Sequence, residues 1–462
     1  MHTRLALLLS LLLASTAAAQ YPDTLLHTLD APASYDPFKH AGSSVAVSGN
    51  LAAVGEAKDE YSFGRIVIFN PQTGAVQHVI DLPDSKSYGF GYSIAMSGTR
   101  LIVGAPTKAS PTRSSVGAVY VYELAGATPT VPTLMLQEGD HMDGFGRVVA
   151  IDGNRVVVGA PEKYHSGRGK VYVFDLSGTT PTSPVAILES SRGLSAEQFG
   201  SAVAISGNLV AVGEHLDDTG ATNAGRVTVF DVSSLTPETP LHLVPNPVPS
   251  VDAWFGQALS LSGNNLVVGA PNDDSGAVDA GSAYLFDLGG ASPTVPSLTW
   301  HDPAVAAGDA FGGAVAISGS RVVIGAGGDN HGQPDAGRAY AYDLAGGSPS
   351  TPSVTMSNPS SNQNDHFGAA VAVAGAWTII GAPDDDTVNT DDGMAFSFNL
   401  EGGAPGTSVA MLSATELSNE GNFGQSVAMS GSWLAVGAPY DPAGDSRAGG
   451  VYVYDMASGT PQ

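Results

Sequence analysis

Four stretches of the 462-residue chain place oxygen-bearing side chains at the fourth, fifth and tenth residues after a recurring glycine. They are Asp217, Asp218 and Asn223; Asp273, Asp274 and Asp279; Asp329, Asn330 and Asp335; and Asp385, Asp386 and Asp391, with Asp384 and Asp392 beside the last. A hard cation such as Ca2+ takes six to eight oxygens, and carboxylates held close together repel until one neutralises them. The same residue types also bond the backbone of their own loop in Asx-turns, so spacing alone leaves a metal site and a capped loop both open. A second acidic set, Asp143, Glu197, Asp309 and Asp365, precedes a recurring Phe-Gly pair. It suits capping of glycine-turn amides or a cation site shared with the neighbouring triplet.

Nucleophilic and acid–base constellations are scarce. The sequence has no His-Glu-x-x-His, Gly-x-Ser-x-Gly or P-loop pattern, and its 11 His are scattered. A pair of carboxylates suited to glycoside chemistry could stand among so many acids, yet nothing selects one pair. Basic residues gather in the first three repeats, at Lys58, Lys108, Arg113, Lys163 and Arg168. They mark that sector as a candidate partner-binding surface.

The elements that carry these residues repeat. A block reading Phe-Gly-x-x-Val-Ala-x-Ser-Gly-x-x-x-Val-x-Gly-Ala-Pro in its best copies recurs eight times, starting near 41, 90, 145, 199, 255, 311, 367 and 423. Its first glycine falls at Gly42, Gly91, Gly146, Gly200, Gly256, Gly312, Gly368 and Gly424, and two further glycines follow at fixed spacing. Alternating apolar residues predict four strands per block. Strand A is typified by 201–205, strand B by 209–212, strand C by 283–287 and strand D by 133–136. Ser-Gly-Asn and similar turns join A to B, and Pro after the third glycine ends the B ladder because it has no N–H to donate. Repeated four-stranded meanders of this length predict an all-β, eight-bladed β-propeller. The chain ends before an eighth strand D, and 24–30 resembles one, so the N-terminal strand is expected to close the ring and remove both open edges. Seven blades is the fallback if the divergent first copy stays outside.

Phe145-Gly146 with Gly159-Ala160-Pro161, and Phe423-Gly424 with Gly437-Ala438-Pro439, resemble the FG-GAP repeat of integrin α-subunit propellers and many secreted bacterial proteins. Copies one, four and six depart at Gly55-Glu56-Ala57, Gly213-Glu214-His215 and Gly325-Ala326-Gly327. The resemblance implies a calcium loop between strands A and B. Here that turn is too short to present enough oxygens, and the family's sites are not carried over to it.

In an up-and-down blade the B–C and D–A loops share one face. That face is expected to be acidic, and the opposite one nearly uncharged. The whole chain carries 44 Asp plus Glu against 18 Lys plus Arg, which argues against nucleic-acid binding. Without cysteine it has no disulfide, thiol or zinc-thiolate chemistry. Residues 1–19, with Arg4, an apolar run over Leu5–Leu13 and Ala17-Ala18-Ala19, read as a signal peptide cleaved near Ala19-Gln20. The mature chain from 20 to 462 is then a single propeller, with no transmembrane segment and expected to be a monomer. The expected function is a secreted, non-enzymatic propeller that binds an extracellular protein or glycan through its acidic loop face, with Ca2+ as the cofactor its carboxylates would hold. The alternative is an extracellular carbohydrate-active enzyme, a polysaccharide lyase or hydrolase using rim carboxylates.

Overall fold

The computed structural model describes residues 27–30, 41–57, 64–84, 88–110, 115–138, 143–161, 168–193, 197–359, 361–387, 390–402, 405–414, 421–441 and 449–456. These form eight four-stranded antiparallel sheets. Seven are built from consecutive strands; the fifth blade, for example, runs Ala258–Ser262, Asn265–Ala270, Ser282–Asp287 and Leu298–His301. The eighth takes Ser426–Ser430, Trp433–Ala438 and Gly450–Asp455 from the end of the chain and is completed by His27–Asp30. In that closing pair His27 faces Val453 and Asp30 faces Gly450. The divergent first copy is a full member of the ring. No described residue is helical, so no helix there could cross a membrane.

The A strands touch one another in ring order and line the centre. Strand C alternates because its two faces meet different neighbours. Tyr284 and Phe286 pack toward the fourth blade, with Val227, Val229 and Val244, whereas Ala283 and Leu285 pack toward the sixth, with Val322 and Ile324. The Phe of each Phe-Gly pair joins this inter-blade core; Phe255 lies 5.6 Å from Tyr284 and 6.1 Å from Phe286, edge to face. Full burial of such a ring contributes about 1.5–3 kcal/mol. At the seam, Ala41, Val54, Val67 and Phe69 of the first blade pack with Ala435, Val451 and Val453 of the last.

The three glycines hold the blades at this spacing for different reasons. The third admits no side chain: a Cβ on Gly213 would meet the carbonyl oxygen of Gly256 in the next blade at 2.2 Å, and one on Gly437 would meet that of Gly42 at 2.1 Å. The second, such as Gly207 at φ +59°, is the first residue of a two-residue hairpin turn and faces open space. The serine before it is an inter-blade latch. Its hydroxyl accepts the turn amide of the next blade, from Gly153 to Ser97 at 3.1 Å, Gly263 to Ser206 at 3.0 Å, Gly319 to Ser262 at 3.2 Å and, across the seam, Gly49 to Ser430 at 3.3 Å. Asp152 takes that role toward Gly207 at 2.7 Å.

Strand B runs two residues further than its sequence pattern suggests, through the third glycine to the following residue, as in Leu209–Glu214. That extra rung decides the site.

Candidate functional site: the B–C and D–A loop face

In blades four to seven the B–C loop is zipped to the D–A loop that follows it. In the fifth blade the amides of Gly308, Ala310 and Phe311 donate to the carbonyls of Val278, Asp279 and Ala280 at 3.0, 3.2 and 3.0 Å. Asp279 and Ala310 both sit in the left-handed region, at φ +52° and +53°, and Asn223, Asp335 and Asp391 repeat the geometry at φ +50 to +52°. This conformation explains why the third triplet position is Asp or Asn, the non-glycine types that tolerate it best.

The first triplet residue is buried in every blade that has one: Asp217, Asp273, Asp329 and Asp385, joined by Asp441 of the eighth. Asp273 is typical. Its Oδ1 accepts the Ser275 amide at 2.8 Å and its Oδ2 the Tyr284 hydroxyl at 2.9 Å. Asp329 likewise accepts from His331 N and Tyr340 Oη, and Asp441 from Tyr452 Oη. Where strand C offers Phe396 instead of Tyr, Asp385 turns to Asn358 Nδ2 at 2.6 Å. The second residue caps the third: Asp218, Asp274, Asn330 and Asp386 accept the amides of Asn223, Asp279, Asp335 and Asp391 at 2.8, 3.0, 3.1 and 2.7 Å. Every triplet member thus has a capping or zippering task.

This donor set does not fit a calcium cage. The first and second triplet residues direct side-chain oxygens at N–H and O–H donors of their own loop and strand, and the third contributes its backbone carbonyl to the zipper. Among the described residues, three carboxylates bring one oxygen each within 4.8 Å of one another at Glu197, Glu214 and Asp217, all buried. There Arg226 supplies the cation, with Nη2 2.6 Å from Glu214 and 3.5 Å from Asp217, while Arg192 Nη1 lies 3.4 Å from Asp217. Glu214 stands where most repeats have the Ala of Gly-Ala-Pro, and Arg226 is its cross-strand partner. The first blade makes the same exchange, Glu56 with Arg65 at 2.9 Å. Two of the three departures from Gly-Ala-Pro are therefore paired substitutions across one rung, a signal the sequence held but that only register reveals.

Glu197, Asp309 and Asp365 lie beside the first triplet residue of their own repeat, Asp217, Asp329 and Asp385. Burial raises the Glu197 and Asp309 carboxyls above the usual range, and that of Asp365, beside Asp385, rises to about 6. Asp302, absent from the sequence reading, shares the Tyr340 hydroxyl with Asp329. Burial, with Asp329 adding repulsion, lifts it to about 7.

Two residues of the basic sector are among those described. Lys108 is buried, with Nζ 3.1 Å from Asp84 and 3.0 Å from the Ala109 carbonyl; Arg168 is exposed. Lys58, Arg113 and Lys163 lie outside the described residues. The opposite face is not uncharged. Asp175, Asp231, Asp287, Asp343 and Asp455 end their C strands there, and the first four cap the turn that follows. The negative charge is shared between the faces.

The residue after the first glycine opens strand A at the mouth of the central channel. Round the ring it reads Ser43, Tyr92, Arg147, Ser201, Gln257, Gly313, Ala369 and Gln425. Arg147 stands over the Tyr92 ring at 5.4 Å, and Ser201 bonds His215 Nδ1 at 2.9 Å. Small residues in blades six and seven leave a cavity of about 560 Å³ there.

The FG-GAP repeat matches at residues 84–122, 131–174, 183–230, 248–286, 301–342, 358–398 and 407–454. The chain belongs to the FG-GAP repeat family. Matched segments such as 131–174 contain strands D, A, B and C in that order, so the FG-GAP unit is offset by one strand from the blade. A strand-D equivalent at the start of the chain follows from that offset. No curated protein matches the chain. Among solved structures, that of Chaetomium thermophilum Sqt1 bound to the N-terminus of the ribosomal protein L10 aligns over 90% of this chain and 97% of that one, with TM-score 0.56 and 14% identity. At that identity the likeness is one of fold.

Proposed function

We propose that this FG-GAP propeller is a secreted, non-enzymatic scaffold that binds an extracellular protein or glycan through its B–C and D–A loop face. One observation carries the reading: a repeated frame, cross-zipped in blades four to seven, supports a mouth whose eight positions hold six residue types of different size and chemistry. Rigid frames with variable loop positions are where binding surfaces are built. The likeness of its Phe-Gly and Gly-Ala-Pro pairs to integrin α-subunit propellers is consistent with partner binding, and residues 1–19 with export. The reading needs no metal, because the triplets cap their own loops.

Retention of the mature protein on extracellular glycans and surface proteins tests it. Asp218→Asn/Asp274→Asn/Asp386→Asn keeps each cap acceptor while removing charge from the loop face, and should weaken retention at least tenfold. Glu401→Gln, on the opposite face, should not. Equal loss from both variants, or from neither, would move the binding surface elsewhere.

A further inference from the structure

The eightfold frame is interrupted at the channel mouth between blades five and seven. Gly313 and Ala369 take positions that carry Tyr92, Arg147, Gln257 or Gln425 elsewhere, and Gly327 stands where most repeats have Pro. The space this leaves is the cavity of about 560 Å³, within the range of small-ligand sites. Its polar groups come from three blades: Gln257 from the fifth, Asp335 from the sixth, His366 and Asp384 from the seventh. Ala310, Ala369 and Pro383 supply small apolar surfaces between them.

Two of these groups are positioned as a pair. His366 Nδ1 lies 2.8 Å from Asp384 Oδ2, and Asn422 Nδ2 donates to Asp384 Oδ1 at 3.0 Å. The Asp384 charge is thereby answered from within the protein. The main chain fixes the ring too: His366 is left-handed at φ +50°, and its amide donates to the Asp335 carbonyl at 3.1 Å. Carboxylate, amide and imidazole around small apolar patches form a set of acceptors and donors for hydroxyl groups and C–H faces together. An anionic ligand would meet a chain of net charge −26. A cationic one would meet His366, whose protonated form Asp384 favours.

We propose that this pocket binds a neutral carbohydrate, with Asp335 and Gln257 bonding its hydroxyls and His366, oriented by Asp384, donating from the far wall. The inference rests on the scaffold reading and assigns it a site and a ligand class.

Two variants probe the pocket with residues the repeat already uses. Ala369→Gln fills it with the side chain found at Gln257 and Gln425, and Asp335→Asn places the residue found at Asn223 in the same left-handed position. Calorimetric titration of the full mature chain with cellohexaose, xylohexaose, mannohexaose and laminarihexaose should show binding of at least one. Affinity should fall tenfold or more in each variant while the melting midpoint stays unchanged. Failure of all four sugars to bind, or equal binding to wild type and variants, overturns the proposal. A hexalysine peptide serves as the contrasting probe: binding that Ala369→Gln abolishes would keep the pocket and the scaffold but overturn the ligand class. Sugar binding lost only in the Asp218/Asp274/Asp386 variant would keep the scaffold and discard the pocket. If no probe binds and retention on extracellular material also fails, both readings fall.

Discussion

Arg226 Nη2 lies 2.6 Å from Glu214 Oε2, across the last rung of the fourth blade, with both side chains buried. Thr228 Oγ1 donates to the other Glu214 oxygen at 2.6 Å, and Arg226 also donates to Ser190 Oγ at 3.0 Å. The fifth blade solves the same rung with Ala270 and Ser282. Arg226→Ser alone strands Glu214 among Glu197 and Asp217 and should cost about 3–5 kcal/mol. Adding Glu214→Ala should restore most of that loss. Urea unfolding of the two singles and the double gives the coupling directly, and additivity would show that the pair acts independently.

Gly437 and Gly431 separate close approach from backbone conformation. Gly437→Ala forces a Cβ against the Gly42 carbonyl at the seam and should cost about 3 kcal/mol or more, as overpacking against an unyielding backbone does. Gly431→Ala meets nothing but must hold φ +61°, which costs about 1–2 kcal/mol. Thermal melts should rank them in that order.

Stability should fall as pH rises from about 4 to 8. Asp302, at about 7, and Asp365, at about 6, bind protons more tightly folded than unfolded, so their contribution is complete below the ordinary carboxylate pKa and disappears as pH passes the folded values. His366, raised chiefly by its bond to Asp384, acts in the same direction above its ordinary pKa. Asp302→Asn, the residue the neighbouring repeats carry as Asn246 and Asn358, should flatten the profile and stabilise by about 1–3 kcal/mol at pH 8. Melting midpoints across pH 4 to 8 check both slope and rescue.

Millimolar calcium and chelator should give the same midpoint. A ligand that binds only the native state must raise it, and the first and second residues of each triplet already spend side-chain oxygens on amides and hydroxyls. A calcium-dependent rise would identify a site outside those caps.

Ala374 occupies the latch position before Gly375, where Ser97, Ser206, Ser262, Ser318 and Ser430 stand in other blades. Ala374→Ser should add one hydrogen bond to the eighth blade, to Gly431, and about 0.5–1.5 kcal/mol.

Spacing alone exposed the ring. Fixed intervals between three glycines encode close backbone approaches at the first and third and a left-handed hairpin turn at the second, and the strand missing at one end of the chain is present at the other. Side-chain roles were less visible. Asp273 and Asp274 are adjacent and alike in sequence, yet one is buried beneath Tyr284 and the other exposed, a difference set by which loop covers them. Asp287 and Asp455 look like the ends of strands; only topology puts them on the face opposite the triplets. The Glu56–Arg65 and Glu214–Arg226 exchanges need cross-strand register to be seen. So does a further glycine that recurs before strand C, such as Gly225, whose Cβ would strike the Phe255 carbonyl at 2.2 Å.

Pairing of His27–Asp30 with 450–453 also imposes an order on assembly. The strand at 27–30 leaves the ribosome ahead of the blades and has no partner until the last repeat has been made, while the intervening blades can form from nearby segments. A chain cut short in its final repeat would therefore expose two unmatched edges, one near each terminus. Such edges pair readily with another copy. The closing strand is in this sense a check on completeness: only a chain translated to its last blade can hide both ends of its own sheet.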